Sequence, residues 1–163
     1  MNNLSIYQEK ILTLANQNKS TAHIEDFNCS YDMKNPMCGD EVKVRIKILQ
    51  NKIETISAIV RGCALCEASA GLVVQTFSKK NLPDIEFLEN FKYWLCALDQ
   101  ELPTNLPEGI KVFQPIREIT NRHTCITMPF EATIKSINQF NKKFDINQVK
   151  QNIFQKGQEV QPK

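Results

Sequence analysis

Four residues in this 163-residue chain carry side chains that together can hold a soft metal ion: Cys38, Asp40, Cys63 and Cys125. Three thiolates and one carboxylate satisfy the tetrahedral preference of Zn²⁺, and thiolates equally suit iron–sulfur clusters. The carboxylate is the odd member. A hard oxygen in a sulfur-rich shell is the easiest ligand to displace, so such a site can open, which points to traffic of metal or sulfur rather than a closed clamp. Gly39 stands between Cys38 and Asp40 and allows a backbone turn that aims both at one point. Cys63 and Cys125 fall at the expected starts of helices, where the dipole favours the thiolate and its nucleophilicity. The same residues can therefore bind metal or accept sulfur.

The other titratable sulfur and nitrogen groups carry weaker signals. Cys66 completes a CxxC with Cys63, which reads either as a spare thiol beside the site or as a packed helix residue; no second CxxC follows. Cys29 and Cys96 read as small buried hydrophobes, Cys96 within an aromatic-rich helix. Two histidines, His23 and His123, are too few for a histidine-rich centre. Both read as structural or solvent-facing, with His123 near enough to Cys125 in sequence to support it.

The elements that must position these residues follow from periodicity. Leu4, Ile11, Leu12, Leu14 and Ala15 predict an amphipathic helix over 4–17. Residues 19–41 read as loop with one edge strand near 28–34. Val42, Val44, Ile46 and Ile48 alternate with Lys43, Arg45 and Lys47, the period of a half-buried strand. The turn Gln50-Asn51-Lys52 leads to a second strand, 53–60, with Ile56, Ala58 and Val60 on one face, so the pair predicts an antiparallel hairpin. Its return brings Cys38 and Asp40 toward Cys63. Leu65, Ala68, Leu72 and Val73 predict a helix from about 63 to 80, with Gly71 allowing close packing. A further helix carries Leu88, Phe91, Leu95 and Leu98 with Trp94 alongside. Pro103, Pro107 and Pro115 predict an irregular excursion over 100–120. Phe130, Ile134, Ile137 and Phe140 mark another helix, with Pro129 in its first turn. Asp145 predicts the cap of a short last helix through Ile146, Val149 and Ile153, and 157–163 a loose tail.

Composition excludes several classes. Lys plus Arg total 20 against 18 Asp plus Glu, a net charge of +2 that supplies no basic field for nucleic acid. No apolar run approaches the roughly 20 residues of a membrane span, and Met-Asn-Asn-Leu-Ser is not the start of a secretory leader. The expectation is a cytoplasmic protein. Six cysteines then call for metal or thiol chemistry, because the cytosol does not sustain a disulfide framework.

Three segments, Asn35-Pro36-Met37-Cys38-Gly39-Asp40, Gly62-Cys63-Ala64-Leu65-Cys66-Glu67-Ala68-Ser69-Ala70 and Arg122-His123-Thr124-Cys125, occur in an order and at separations that resemble the IscU/NifU-like iron–sulfur cluster assembly scaffolds. Within that family they resemble the SufU branch. Thr124 directly before Cys125 and Arg122 three before it are SufU-like, as is the long interval to Cys125, which places a SufU-type insertion within about 83–120. The resemblance implies an α+β fold with a small antiparallel sheet of about three strands packed against helices, as one domain over 1–156. It also implies a metal site of Cys38, Asp40, Cys63 and Cys125.

SufU-like proteins bind zinc there and take persulfide sulfur from a cysteine desulfurase. IscU-like proteins assemble a [2Fe–2S] cluster on the thiolates, here Cys38, Cys63 and Cys125, and pass it to iron–sulfur apoproteins or carriers. The cofactor implied is thus zinc, or alternatively iron or a [2Fe–2S] cluster, and the partner a SufS-like or IscS-like desulfurase. The persulfide acceptor is Cys38 by likeness to SufU and Cys125 by likeness to IscU. Arg122 is placed to offset the negative charge of the ligand set, and Cys66 is an accessory thiol absent from the usual pattern. A scaffold or sulfur acceptor resembling a zinc-dependent sulfurtransferase is expected rather than a stand-alone enzyme. The competing reading is a structural zinc protein that acts through surface binding. A CxxC oxidoreductase centred on Cys63 and Cys66 lacks the flanking βαβ pattern.

Overall fold

A computed structural model describes residues 3–84 and 86–158, with side chains over 4–84 and 86–148. The elements are α1 (Asn3–Ser20), β1 (Cys29–Lys34), β2 (Glu41–Leu49), β3 (Lys52–Arg61), α2 (Ala64–Phe77), α3 (Phe87–Cys96), a 3-10 helix Glu108–Ile116, a 3-10 turn Thr120–Arg122 and α4 (His123–Gln158). The three strands form one antiparallel sheet in the order β1-β2-β3. The expected α+β architecture is the one observed.

In β2 the alternation works as read: Val42, Val44, Ile46 and Ile48 are buried while Lys43 is exposed and Arg45 and Lys47 lie half out. The hairpin turns on Gln50 and Asn51, both left-handed at φ 48° and 61°, two consecutive positive φ values that match the right-handed twist of the strands. One irregularity was not legible. Ile53 and Ile56 are both buried although three apart, which a period of two forbids. The register shifts between Lys47 and Ile48, so that Lys47 pairs Thr55 and Ile48 pairs Ile53. The bulge returns both isoleucines to the core.

The sheet's buried face is covered by α4 and α2, and α1 packs along α2. Phe77 of α2, Phe87 and Phe91 of α3 and Phe130 of α4 interlock at centroid separations of 5.1–6.0 Å, so aromatic packing ties three helices together at the end of the core. Trp94, fully buried, is capped by the Arg117 guanidinium 4.6 Å from its ring.

Several expectations change. α4 is a single helix of 36 residues, not two: it begins at His123, so Pro129 is its seventh residue, and Asp145 lies on its exposed surface rather than at a cap. Pro129 lacks the N–H that would reach the Cys125 carbonyl. The turn is held from outside instead, where Ser69 Oγ of α2 donates to the Ile126 carbonyl. The expected tail is helical through Gln158, and 159–163 lie outside the described residues, as do the side chains of Val149 and Ile153. The excursion over 100–120 holds a nine-residue 3-10 helix containing Pro115. α2 ends at Phe77 rather than near 80. Leu4, Leu12 and Leu98 are exposed, and Cys96, expected inside, is exposed at the end of α3.

Gly71 does permit close packing: a Cβ there would lie 2.5 Å from the Leu14 carbonyl oxygen of α1. Alanine favours a helix interior by about 1 kcal/mol over glycine, but here it must push α1 off α2. We expect Gly71→Ala to lower stability by about 1–3 kcal/mol in urea unfolding; a more stable variant would show that the helices can separate freely.

Candidate metal centre

The loop between β1 and β2 is built on Asn35. Its backbone N–H donates to the Asp40 carbonyl (2.8 Å), its carbonyl accepts from Gly39 N–H (2.8 Å), and its side-chain Oδ1 accepts from Met37 N–H (3.0 Å). The last is an Asx turn, which an Asn-Pro pair favours. Gly39 takes φ +77°, the left-handed region open to glycine. The result aims Cys38 and Asp40 inward from one turn, with Met37 92% exposed at its tip.

Asp40 then meets the end of β3. Glu41 pairs with Arg61 in the sheet, so the residues just outside that pair, Asp40 and Gly62, are neighbours. The Asp40 carboxylate accepts from Cys63 N–H at Oδ1 (3.2 Å) and from Cys63 Sγ at Oδ2 (3.4 Å). It fits there because position 62 has no side chain: a Cβ would stand 2.6 Å from Asp40 Oδ1 and 2.7 Å from its Cγ. Cys63 is the N-cap of α2, with extended backbone and no side-chain capping bond, which leaves its sulfur free to turn to the site. Gly62 and Asn35 are the residues that sequence reasoning left without a role. The Asn-Pro dipeptide signalled the second; for the first nothing in the sequence announces a contact 22 positions away.

Cys125 arrives from the opposite side, third residue of α4 and fully buried. Its Sγ lies 3.9 Å from Cys38 Sγ. The ligand atoms of Cys38, Asp40 and Cys125 all lie within 4.8 Å of one another; Cys63 touches Asp40 but stands outside that mutual group. With metal–sulfur bonds of about 2.3 Å and metal–oxygen bonds of about 2.1 Å, two sulfurs on one tetrahedral ion sit roughly 3.8 Å apart and a sulfur and an oxygen roughly 3.6 Å. The 3.9 Å and 3.4 Å separations match both edges. Those two edges suit a tetrahedral ion at the group of Cys38, Asp40 and Cys125, to which Cys63 is joined through Asp40.

Two helix N-termini, those of α2 and α4, point their positive ends at this cluster. Burial nevertheless raises the Cys125 thiol well above its ordinary range, helped by the charge at Cys63 and by hydrogen bonds to Asp40 and Cys38. Cys125 holds its proton until a cation replaces it, so metal uptake releases protons. Cys66 is fully buried one turn into α2. Burial, then the negative charges of Asp40, Cys63 and Cys125, drive its thiol up strongly; it is a neutral packed residue behind the site. Arg122 is exposed in the turn before α4, with no ion pair to a described residue. His123 faces away from the cluster, bonding the Arg117 carbonyl and approaching Cys96.

The family model described as NifU-like N terminal domain matches residues 6–105, and the chain belongs to that family. Among curated relatives, the iron–sulfur cluster assembly scaffold protein IscU of Thermotoga maritima is 28% identical over 49% of this chain and 56% of its own length. The zinc-dependent sulfurtransferase SufU of Bacillus subtilis is 23% identical over 65% of this chain and 72% of its own. The chain thus spans little more than half of the first of these. A crystal structure from Fervidobacterium islandicum AW-1, described as an iron–sulfur cluster assembly scaffold protein for the SUF system, superposes with a TM-score of 0.70. It is 24% identical and covers 82% of this chain and 98% of that one, a likeness of fold. The family is therefore that of the iron–sulfur scaffolds, as the three motifs implied. No helix among the described residues is long and apolar enough to cross a membrane.

The Gly62 contact gives a direct test of the site's construction. Gly62→Ala must displace the Asp40 carboxylate, and we expect it to weaken zinc binding about tenfold or more in a chelator competition assay while the far-ultraviolet circular dichroism stays native. Unchanged affinity would mean that Asp40 is not held where a metal needs it.

Proposed function

We propose that this chain is a sulfur-accepting iron–sulfur assembly protein that works at a resident metal held by Cys38, Asp40, Cys63 and Cys125. The observation that carries the reading is the gradient of exposure across one ligand cluster: Cys38 is exposed, Cys63 half-buried, and Asp40 and Cys125 buried. An outside sulfur donor reaches Cys38 first. Zinc is the resident ion favoured by the close group of Cys38, Asp40 and Cys125 and by the name of the Bacillus relative. When bound, it keeps its thiolates deprotonated near neutral pH.

The chemistry is an exchange between sulfurs. The Cys38 thiolate attacks the outer sulfur of a persulfide on a cysteine desulfurase, the donor's S–S bond breaks, and the donor's cysteine leaves as a thiolate. Cys38 then carries the persulfide, with no net oxidation or reduction. Cys125 is buried, out of reach of an outside donor, and it serves as a ligand rather than as the acceptor. The exposed Met37 beside Cys38 offers an apolar contact to the donor at the mouth of the site. Asp40 is the ligand whose release opens room, and the sulfur passes onward to an iron–sulfur apoprotein or carrier. We read an insertion within about 83–120 of a single domain.

Assembly of a [2Fe–2S] cluster on Cys38, Cys63 and Cys125 is the second reading, favoured by the names of the IscU relatives. Both belong to the same biogenesis. A structural zinc site is the contrary one, and the exposure of Cys38 weighs against it.

A coupled assay tests the proposal. With a SufS-like or IscS-like desulfurase, the chain should raise cysteine turnover several-fold, and Cys38→Ser should abolish the stimulation. Chelation of the metal should leave the circular dichroism native. Full stimulation by Cys38→Ser would remove Cys38 as acceptor, and unfolding on chelation without any stimulation would establish the structural reading instead.

A further inference from the structure

A cavity of about 210 Å³ opens between the end of α1, the loop that follows it, β3 and the first turn of α2. A cavity of roughly 150 Å³ admits benzene, so a molecule of that order fits here. Its wall is polar and buried. Asn18, Ser57 and Glu67 line it with exposures of only 7%, 2% and 6%. Asn18 Nδ2 donates to the Ala58 carbonyl (3.0 Å) and to Glu67 Oε2 (2.8 Å). Both neighbours only accept, which fixes the amide's orientation and leaves Asn18 Oδ1 without a donor among the described residues. Ser57 Oγ likewise has no partner among them.

The Glu67 carboxylate is buried with no ion pair to a described residue. If its task were only to tie α1 to α2, a neutral glutamine oxygen would accept the Asn18 bond equally well, without the cost of burying a charge. Three oxygens able to accept, one of them charged, call for a donor that carries positive charge. The rim has the opposite sign: Lys19 and His23 line the cavity and are exposed. Ile59, half-buried, adds an apolar wall. A bare anion would meet the Glu67 carboxylate, and a bare cation would face Lys19. A molecule with both charges and a small apolar substituent satisfies every part of the lining.

We propose that this cavity binds a small zwitterionic amino acid, independently of the Cys38 cluster. Its ammonium group is held by Glu67, Asn18 Oδ1 and Ser57 Oγ, and its carboxylate by Lys19 and a ring N–H of His23.

The experiment titrates the isotope-labelled full chain with L-alanine and follows its amide NMR shifts, with ethylamine and propionate as the two halves of the ligand. L-alanine should bind saturably with a Kd on the order of 1 mM or tighter, and at least about tenfold more tightly than either half. Glu67→Gln keeps an acceptor for Asn18 and should weaken binding about tenfold or more, and Lys19→Ala several-fold, both with native circular dichroism. Ethylamine bound as tightly as L-alanine would make this a site for a lone cation and overturn the amino-acid assignment. The absence of any saturable shift at tens of millimolar L-alanine would overturn the site, as would undiminished affinity in folded Glu67→Gln. The comparison of L-alanine with its halves uses the unmodified chain, so it decides the assignment even where a variant fails to fold.

Discussion

The contact on which the site depends is the Asp40 carboxylate lying across the glycine that precedes Cys63. It joins the turn before β2 to the start of α2, and the hairpin register makes it possible, since Glu41 opposite Arg61 leaves Asp40 opposite Gly62. The carboxylate accepts both the backbone N–H and the thiol of Cys63, so a single side chain sets the distance between two sulfur-bearing segments. The buried row from Val42 to Ile48 and the helices that cover it hold the strand ends in that register.

What that contact creates is a cluster graded from wet to dry. Cys38 meets solvent while Cys125 lies beneath α4's first turn, which Pro129 loosens and Ser69 secures. Thiols in those two settings differ in what they do: an exposed one exchanges, whereas a desolvated one waits for a cation. Cys66, deeper still and crowded by the charges of its neighbours, stays neutral. One loop sulfur and two at helical starts thus differ in setting by burial.

Much of this was legible in the residues. The alternation over 42–48 and the turn at Gln50-Asn51 specified the hairpin, and the hairpin in turn predicted that its two ends meet, as Asp40 and Cys63 do. Local periodicity stops where a distant contact decides. Pro129 and Asp145 are stop signals, yet α4 runs through both, because Phe130 is anchored by three aromatic rings and Asp145 simply faces water. The bulge at Lys47 and the helical turns around Pro115 belong to the same class. Cys96 looked buried because its helix is aromatic, but the apolar face of α3 is spent on Phe87, Phe91, Trp94 and Leu95, and Cys96 falls at its open end.

The central claim is that Cys38, Asp40, Cys63 and Cys125 hold one resident ion from which Cys38 is the reachable thiol. Metal and acid-labile sulfide analysis of protein purified without oxygen, beside Cys38→Ser, tests it most directly. The account predicts about one zinc per chain with no sulfide, and less zinc in the variant. Iron with matching sulfide would replace the resident zinc with a cluster, and a protein holding neither metal nor sulfide would contradict the four-ligand site itself.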